Sequence, residues 1–97
     1  MLTSKQRAYL RKLAHNIEPI LQIGKLGASP ETAAAIDEAI EARELIKISI
    51  LSNCPQEPQE AAEILCKSAR AQCVQVIGKK IVMYRKNYEN PTIKLPN

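Results

Sequence analysis

Stretches of helical periodicity alternate along this chain with short runs of β-branched residues, and that alternation admits few architectures. Leu10, Leu13, Ala14 and Ile17 fall at i, i+3, i+4 and i+7, with Thr3 or Ser4 placed to cap, so the spacing predicts a helix over 3–15. Pro19 stops that helix and favours an extended residue before it. Residues 20–23, Ile-Leu-Gln-Ile, read as a short buried strand. Ser29-Pro30-Glu31 is a helix start, with Ser at the cap, Pro at the first position and Glu in the first turn. The helix it opens runs to Arg43 and turns Ala33, Ile36, Ala39 and Ile40 toward the core. Leu45 to Leu51 alternates and is rich in isoleucine, as a strand does. After a loop over Ser52–Pro58, Glu57-Pro58-Gln59-Glu60 opens a third helix. That helix reaches about Gln72, with Ala61, Leu65, Ser68 and Ala69 inward. Cys73–Ile77 and Ile81–Arg85 are strands around Gly78-Lys79, and glycine first in a two-residue turn suits type II′. The tail from Lys86, with Pro91 and Pro96, is expected to be extended and loosely held.

The order α-β-α-β-α-β-β predicts one small α/β domain over residues 1–97, a mixed four-stranded sheet covered by three helices. The sequence contains no Phe and no Trp, so its core must be built from Ile, Leu, Val and Ala. No apolar run approaches the roughly 18 residues of a membrane helix. The opening Met-Leu-Thr-Ser-Lys-Gln-Arg is charged at once and reads as no signal peptide.

The formal net charge of +4 conceals a segregation. Residues 1–28 carry five basic groups against one acidic, a net of +4. Residues 29–66 carry two basic and eight acidic groups, a net of −6, and residues 67–97 carry seven basic and one acidic, a net of +6. Folding the termini together would create a basic face suited to a polyanion, with an acidic face elsewhere. Solvated faces tuned for solubility would give the same asymmetry. Cys54, Cys66 and Cys73 are odd in number and unevenly spaced, and His15 lies 39 residues from the nearest of them. That pattern is neither a disulfide framework nor a zinc site. Reduced core cysteines imply a reducing, cytoplasmic setting.

Gly24-Lys25-Leu26-Gly27 sits between a buried strand and a helix start. Glycines let backbone approach a phosphate closely, the following helix offers N–H groups and its positive dipole end, and Lys25 adds a mobile charge. The Gly-x-x-Gly clamp of KH domains holds a nucleic-acid backbone comparably. A strand-to-helix turn that merely needs glycine would look the same, and Glu31 competes for the dipole. Neither Gly-x-x-x-x-Gly-Lys-Ser/Thr nor Gly-x-Gly-x-x-Gly occurs, so no standard nucleotide pocket is expected. Without Phe or Trp, recognition by stacked aromatic platforms is disfavoured, and backbone, shape and charge are left. Catalysis has little to work with. His15 reads as a helix-end histidine, Asp37 lies with Glu38 and Glu41 on a solvated helix face, and Ser52-Asn53-Cys54 has no nearby histidine in sequence.

Thr3-Ser4-Lys5-Gln6-Arg7 followed by Leu10-Arg11-Lys12-Leu13-Ala14-His15 resembles the opening of the bacterial YhbY-type proteins. These are single-domain members of the CRM (chloroplast RNA splicing and ribosome maturation) family. Gln22-Ile23-Gly24-Lys25-Leu26-Gly27 resembles their glycine loop and Glu44-Leu45-Ile46-Lys47 the start of their second strand. Val74-Gln75-Val76-Ile77-Gly78 with Val82-Met83-Tyr84-Arg85 resembles their final hairpin, and Ile93-Lys94-Leu95-Pro96 their tail. Ala28-Ser29-Pro30 departs from the larger start of their second helix.

The resemblance implies an α/β fold similar to the C-terminal domain of bacterial initiation factor three. It implies RNA binding, association with precursors of the large ribosomal subunit and a role in ribosome assembly. By position, Gly24, Lys25, Leu26 and Gly27 would clamp RNA backbone, Lys5, Arg7 and Arg11 match basic helix positions, and Arg85 matches the arginine ending the hairpin. Lys12, Lys79, Lys80 and Lys86 join this set on charge alone. The expectation is a monomeric, non-enzymatic assembly factor without cofactor, metal, membrane or small-molecule substrate. The rival readings are an adaptor docking ribosomal or assembly proteins through the acidic helix 31–44, Glu38 and Glu41 included, and a small hydrolase centred on Cys54 or His15.

Overall fold

The computed structural model describes residues 2–97. Helix α1 spans Ser4–Ala14, strand β1 Leu21–Ile23, helix α2 Pro30–Arg43 and strand β2 Leu45–Ile50. Helix α3 spans Pro58–Ser68, and strands β3 (Gln72–Ile77) and β4 (Lys80–Tyr84) close the domain. This is the expected order, with one four-stranded sheet arranged β1-β2-β4-β3. β1 pairs parallel to β2, whereas β4 runs antiparallel to both β2 and β3. The sheet is therefore mixed.

Local chemistry sets most element ends. Thr3 caps α1 in a reciprocal box with Gln6: the Gln6 N–H donates to Thr3 Oγ1 and the Thr3 N–H to Gln6 Oε1. Ser29 caps α2 with Pro30 at its first position. Gly78 has φ +57° while Lys79 stays at negative φ, as a type II′ turn requires.

α3 ends at Ser68, four residues before the end expected from sequence. Arg70 adopts φ +54°, the Ala71 N–H donates back to Cys66 O (2.8 Å) and the Arg70 N–H to Lys67 O (3.2 Å). This is a Schellman ending with arginine where glycine usually stands. It frees Gln72 to start β3 and leaves Ser68 exposed, not inward.

Two cores lie on opposite faces of the sheet, divided by the alternation of β2 and β4. Ile46, Ile48 and Ile50 of β2 join Ile81 and Met83 of β4 beneath Ile36 and Ile40 of α2 and Ala61 and Leu65 of α3. On the other face Leu45, Val82 and Tyr84 meet Leu10 and Ala14 of α1, with Val74 of β3. Each fully buried Ile or Leu contributes about 2–3 kcal/mol of apolar transfer. Met83 and Tyr84 complete a core that the absence of Phe and Trp left to aliphatics.

The tail is not loosely held. Glu44, at the α2–β2 junction, is 1 % exposed with φ +65°. Its carboxylate accepts the N–H groups of Asn87 (2.8 Å), Thr92 (2.7 Å) and Ile93 (2.8 Å) and the Thr92 hydroxyl (2.8 Å). Gln6 Nε2 donates to Pro96 O, and Ile93 and Leu95 pack into the α1-side core. The segment lacks regular structure but is fixed across the sheet's end.

Burial alone would raise the Glu44 pKa, but the hydrogen bonds from Asn87, Thr92 and Ile93 win and hold it below its ordinary 4.5. A carboxylate depressed on folding contributes stability that is complete above pH 4.5 and is lost as pH falls through the folded-state value. Urea midpoints followed by circular dichroism should therefore decline below pH 4.5, and Glu44→Gln should flatten the decline. Parallel curves for the two proteins would contradict this account.

Candidate nucleic-acid interface

Strand direction decides which basic groups meet. β1, β2 and β3 all end at one rim of the sheet, at Ile23, Ile50 and Ile77, and β4 begins there at Lys80. The Leu51 N–H donates to Ile23 O (2.9 Å) and the Ile50 N–H to Lys79 O (2.7 Å), which ties the glycine loop, the loop after β2 and the hairpin turn into this rim. Lys25, Lys79 and Lys80 are all exposed here.

The glycine loop is a tight turn, closed by the Gly27 N–H on Gly24 O at 2.9 Å. Gly27 is buried at φ +60°, and a Cβ there would strike Gln56 and Pro55. Gly24 has ordinary space, with Asn53 Oδ1 3.4 Å from where a Cβ would stand. Lys25 and Leu26 form the tip, Leu26 being 67 % exposed, and their N–H groups have no partner among the described residues.

The expectation that α2 offers its N-terminal N–H groups to an anion holds for Glu31 alone, whose N–H has no partner among the described residues. The Ala28 N–H donates to Gln56 Oε1, Ser29 N–H to Gly27 O, Thr32 N–H to Ser29 Oγ and Ala33 N–H to Ser29 O. Pro30 has no N–H. A backbone clamp therefore rests mainly on the tip, with the Glu31 N–H the one group left at the helix end.

A cleft of about 670 Å3 opens beside this rim, between α1 and the uncovered part of the sheet. Arg11, Lys12 and His15 line it from α1, Lys47 from β2 and Lys80 from β4. None of its lining residues is acidic. At 100° per residue Arg11 and Lys12 lie on different flanks of α1, yet both border this cleft. Lys47 was missed because it sits in the acidic middle third. The alternation Ile46-Lys47-Ile48-Ser49 was the available signal, since it turns Lys47 away from the isoleucine face.

Other expected residues fall elsewhere. Lys5 is exposed on the first turns of α1, outside the cleft lining. Arg7 is half-buried and its guanidinium donates to the carbonyls of Cys73 and Val74, bolting α1 to β3. Arg85, only 18 % exposed, reaches Asp37 (2.7 Å), Glu41 (2.7 Å) and the Ala69 carbonyl (2.7 Å). Asp37 foremost, then Glu41, holds this guanidinium above its ordinary pKa against the effect of burial. Arg85 is thus a structural clamp at the rim opposite Lys25, and it occupies two of the acids on which an acidic docking face would depend. Lys86 shares that far rim, its Nζ 5.2 Å from the Tyr88 ring centroid.

The candidate catalytic groups do not converge. His15 lines the α1-side cleft, whereas Cys54 packs against the opposite core and directs its thiol to Gln56 Oε1 at 3.7 Å. Cys66 and Cys73 are free and adjacent. Hydrogen bonding from Cys66 lowers Cys73 to about 7 while raising Cys66. Among the described residues no helix is long and apolar enough to cross a membrane.

Comparison with known proteins decides the lineage, because residues 2–85 match the CRS1/YhbY (CRM) domain. The chain belongs to the CRS1/YhbY (CRM) family. It is 49 % identical over 96 residues to a Bacillus subtilis relative named Probable RNA-binding protein YqeI, covering 99 % of this chain and 100 % of that one. A Haemophilus influenzae relative named RNA-binding protein is 32 % identical, covering 98 % and 95 %. The solution structure of the hypothetical protein SAV1595 from Staphylococcus aureus superposes with a TM-score of 0.83 at 51 % identity, covering 99 % and 100 %. In this CRM domain the glycine loop, the hairpin turn and the α1 cleft therefore share one side of the fold.

The two loop glycines should separate in a stability measurement. Gly27→Ala must distort a positive-φ turn and displace Gln56, a loss of about 1–3 kcal/mol. Gly24→Ala should stay within about 0.5 kcal/mol, since its Cβ meets only ordinary contacts. Arg85→Ala should lose about 1–2 kcal/mol by urea unfolding while leaving the Lys25 rim intact.

Proposed function

We propose that this CRM-domain protein binds structured RNA through its phosphate backbone and assists assembly of the large ribosomal subunit. It would act as a cytoplasmic monomer on ribosomal RNA or its precursor particle. The observation that carries the reading is a cationic cleft with no carboxylate in its lining. Arg11, Lys12, Lys47 and Lys80 line one open cleft, and Lys25 and Lys79 stand at the adjoining rim. Field lines from such a surface favour a polyanion. The names of the relatives and the likeness to YhbY-type proteins point the same way.

The Lys25–Leu26 tip offers two free N–H groups and a mobile ammonium, which suit a phosphate between two nucleotides. Leu26 adds an apolar contact against ribose. Specificity for a particular ribosomal site would come from RNA shape, since phosphate contacts position without reading sequence.

Binding to a fragment of large-subunit ribosomal RNA, followed by fluorescence anisotropy across potassium chloride concentrations, tests this. Neutralising about 5–8 phosphates gives a slope of log K against log salt of roughly −4 to −7. Lys25→Ala and Lys80→Ala together should weaken binding and make the slope shallower by about 2. Lys86→Ala, at the far rim, should change neither. A salt-independent affinity would sink the proposal.

A further inference from the structure

Backbone binding does not explain all of the α1 cleft. Ala14 of α1 and Val82 of β4 lie at its base, both almost fully buried. Its wall is Ile77, which is 58 % exposed at the end of β3 beside a ring of cations. Two neutral amides, Gln75 and Asn16, also open into it. Phosphate calls for none of these groups. A large aliphatic left uncovered among lysines is unfavourable until something apolar lies against it.

We infer that this cleft takes one unpaired nucleotide of RNA, with its base against Ile77 and its phosphates toward Arg11, Lys12 and Lys80. The inference rests on the RNA-binding reading and deepens it. Inside a duplex each base face is covered by its neighbours, so only an unstacked base has an apolar surface to bury. Planar amides match base edges, because a carboxamide presents a donor and an acceptor side by side. Lys47 rises from β2 opposite Val82 in the register and lies under the same space, where it meets a phosphate or a base carbonyl. The volume of about 670 Å3 falls in the range of small-ligand clefts. The glycine loop at the neighbouring rim would hold the backbone while the cleft holds a base. Together they select RNA in which a paired stem adjoins an unpaired nucleotide.

The full-length chain, labelled at its Ile and Val methyl groups and backbone amides, can be titrated with the trinucleotides AAA and UUU and with a blunt RNA duplex. The trinucleotides should shift the Ile77 and Val82 methyl signals saturably. The duplex should shift the Lys25 and Leu26 amides and leave those methyls nearly still. Gln75→Ala and Ile77→Ser, the latter at an exposed position that leaves the core untouched, should weaken trinucleotide binding about tenfold. The same variants should keep duplex affinity within about twofold. Poly-glutamate shifting the same methyls as strongly would assign the cleft to acidic peptides and overturn the inference. Normal duplex binding without a methyl response to either trinucleotide would overturn it alone. Failure to bind either RNA would remove the RNA reading beneath it as well.

Discussion

Glu44 holds together three parts of the chain that have no other reason to meet. Its backbone turns α2 into β2 at φ +65°, a conformation few side chains adopt, and its own carbonyl accepts the Arg85 N–H at 2.9 Å. Its carboxylate gathers the tail through Asn87, Thr92 and Ile93. A carboxylate this deeply buried would be strongly unfavourable unsatisfied, so the tail's N–H groups and the charge require each other. Once the tail is drawn in, Ile93 and Leu95 seal the α1-side core that Leu10 and Ala14 alone leave open. The strain at one junction is thus offset by the closure of the α1-side core.

That closure is partial, and the part it leaves uncovered forms the cationic cleft. α2 and α3 bury one sheet face, while α1 and the tail cover only the Leu45, Val82 and Tyr84 region of the other. Beyond it the strands present Lys47, Gln75 and Lys80 to the cleft. Because three strands end at the same rim, the glycine loop and the hairpin turn stand beside this uncovered area. The rigid sheet therefore sets the spacing between loop and cleft.

The fold was legible because its signals are local. Caps at Thr3 and Ser29, the proline at 30 and the β2 alternation each act within a few residues. The misreadings concern partners distant in sequence or a residue type out of its usual place. Arg70 performs a turn that glycine normally performs, so the end of α3 carried no visible mark. Arg7 finds its carbonyls 66 and 67 residues away, and Arg85 finds Asp37 across 48. No periodicity reports such pairs, and a basic residue read singly looks like an available one. The tail looked loose for the same reason, since its anchor lies more than 40 residues upstream.

These long-range pairs also change what the charge segregation means. The acidic middle third, net −6, invited a reading as a second docking face. Glu44 of that block is buried, and Asp37 and Glu41 neutralise Arg85. The same block contributes Lys47 to the cationic cleft, on the sheet face away from α2. Acids and bases are thus sorted by sheet face and rim more sharply than by sequence third. Arg7 of α1 and Arg85, just after β4, serve the fold. At the cleft and its rim the groups free to meet an anion are chiefly lysines, joined by Arg11. Lysine is a compact, mobile charge that tolerates varied phosphate positions, whereas arginine's planar fork fixes one geometry. On the proposed reading, a surface built this way adapts to RNA shape and leaves discrimination to the few neutral and apolar groups set among its charges.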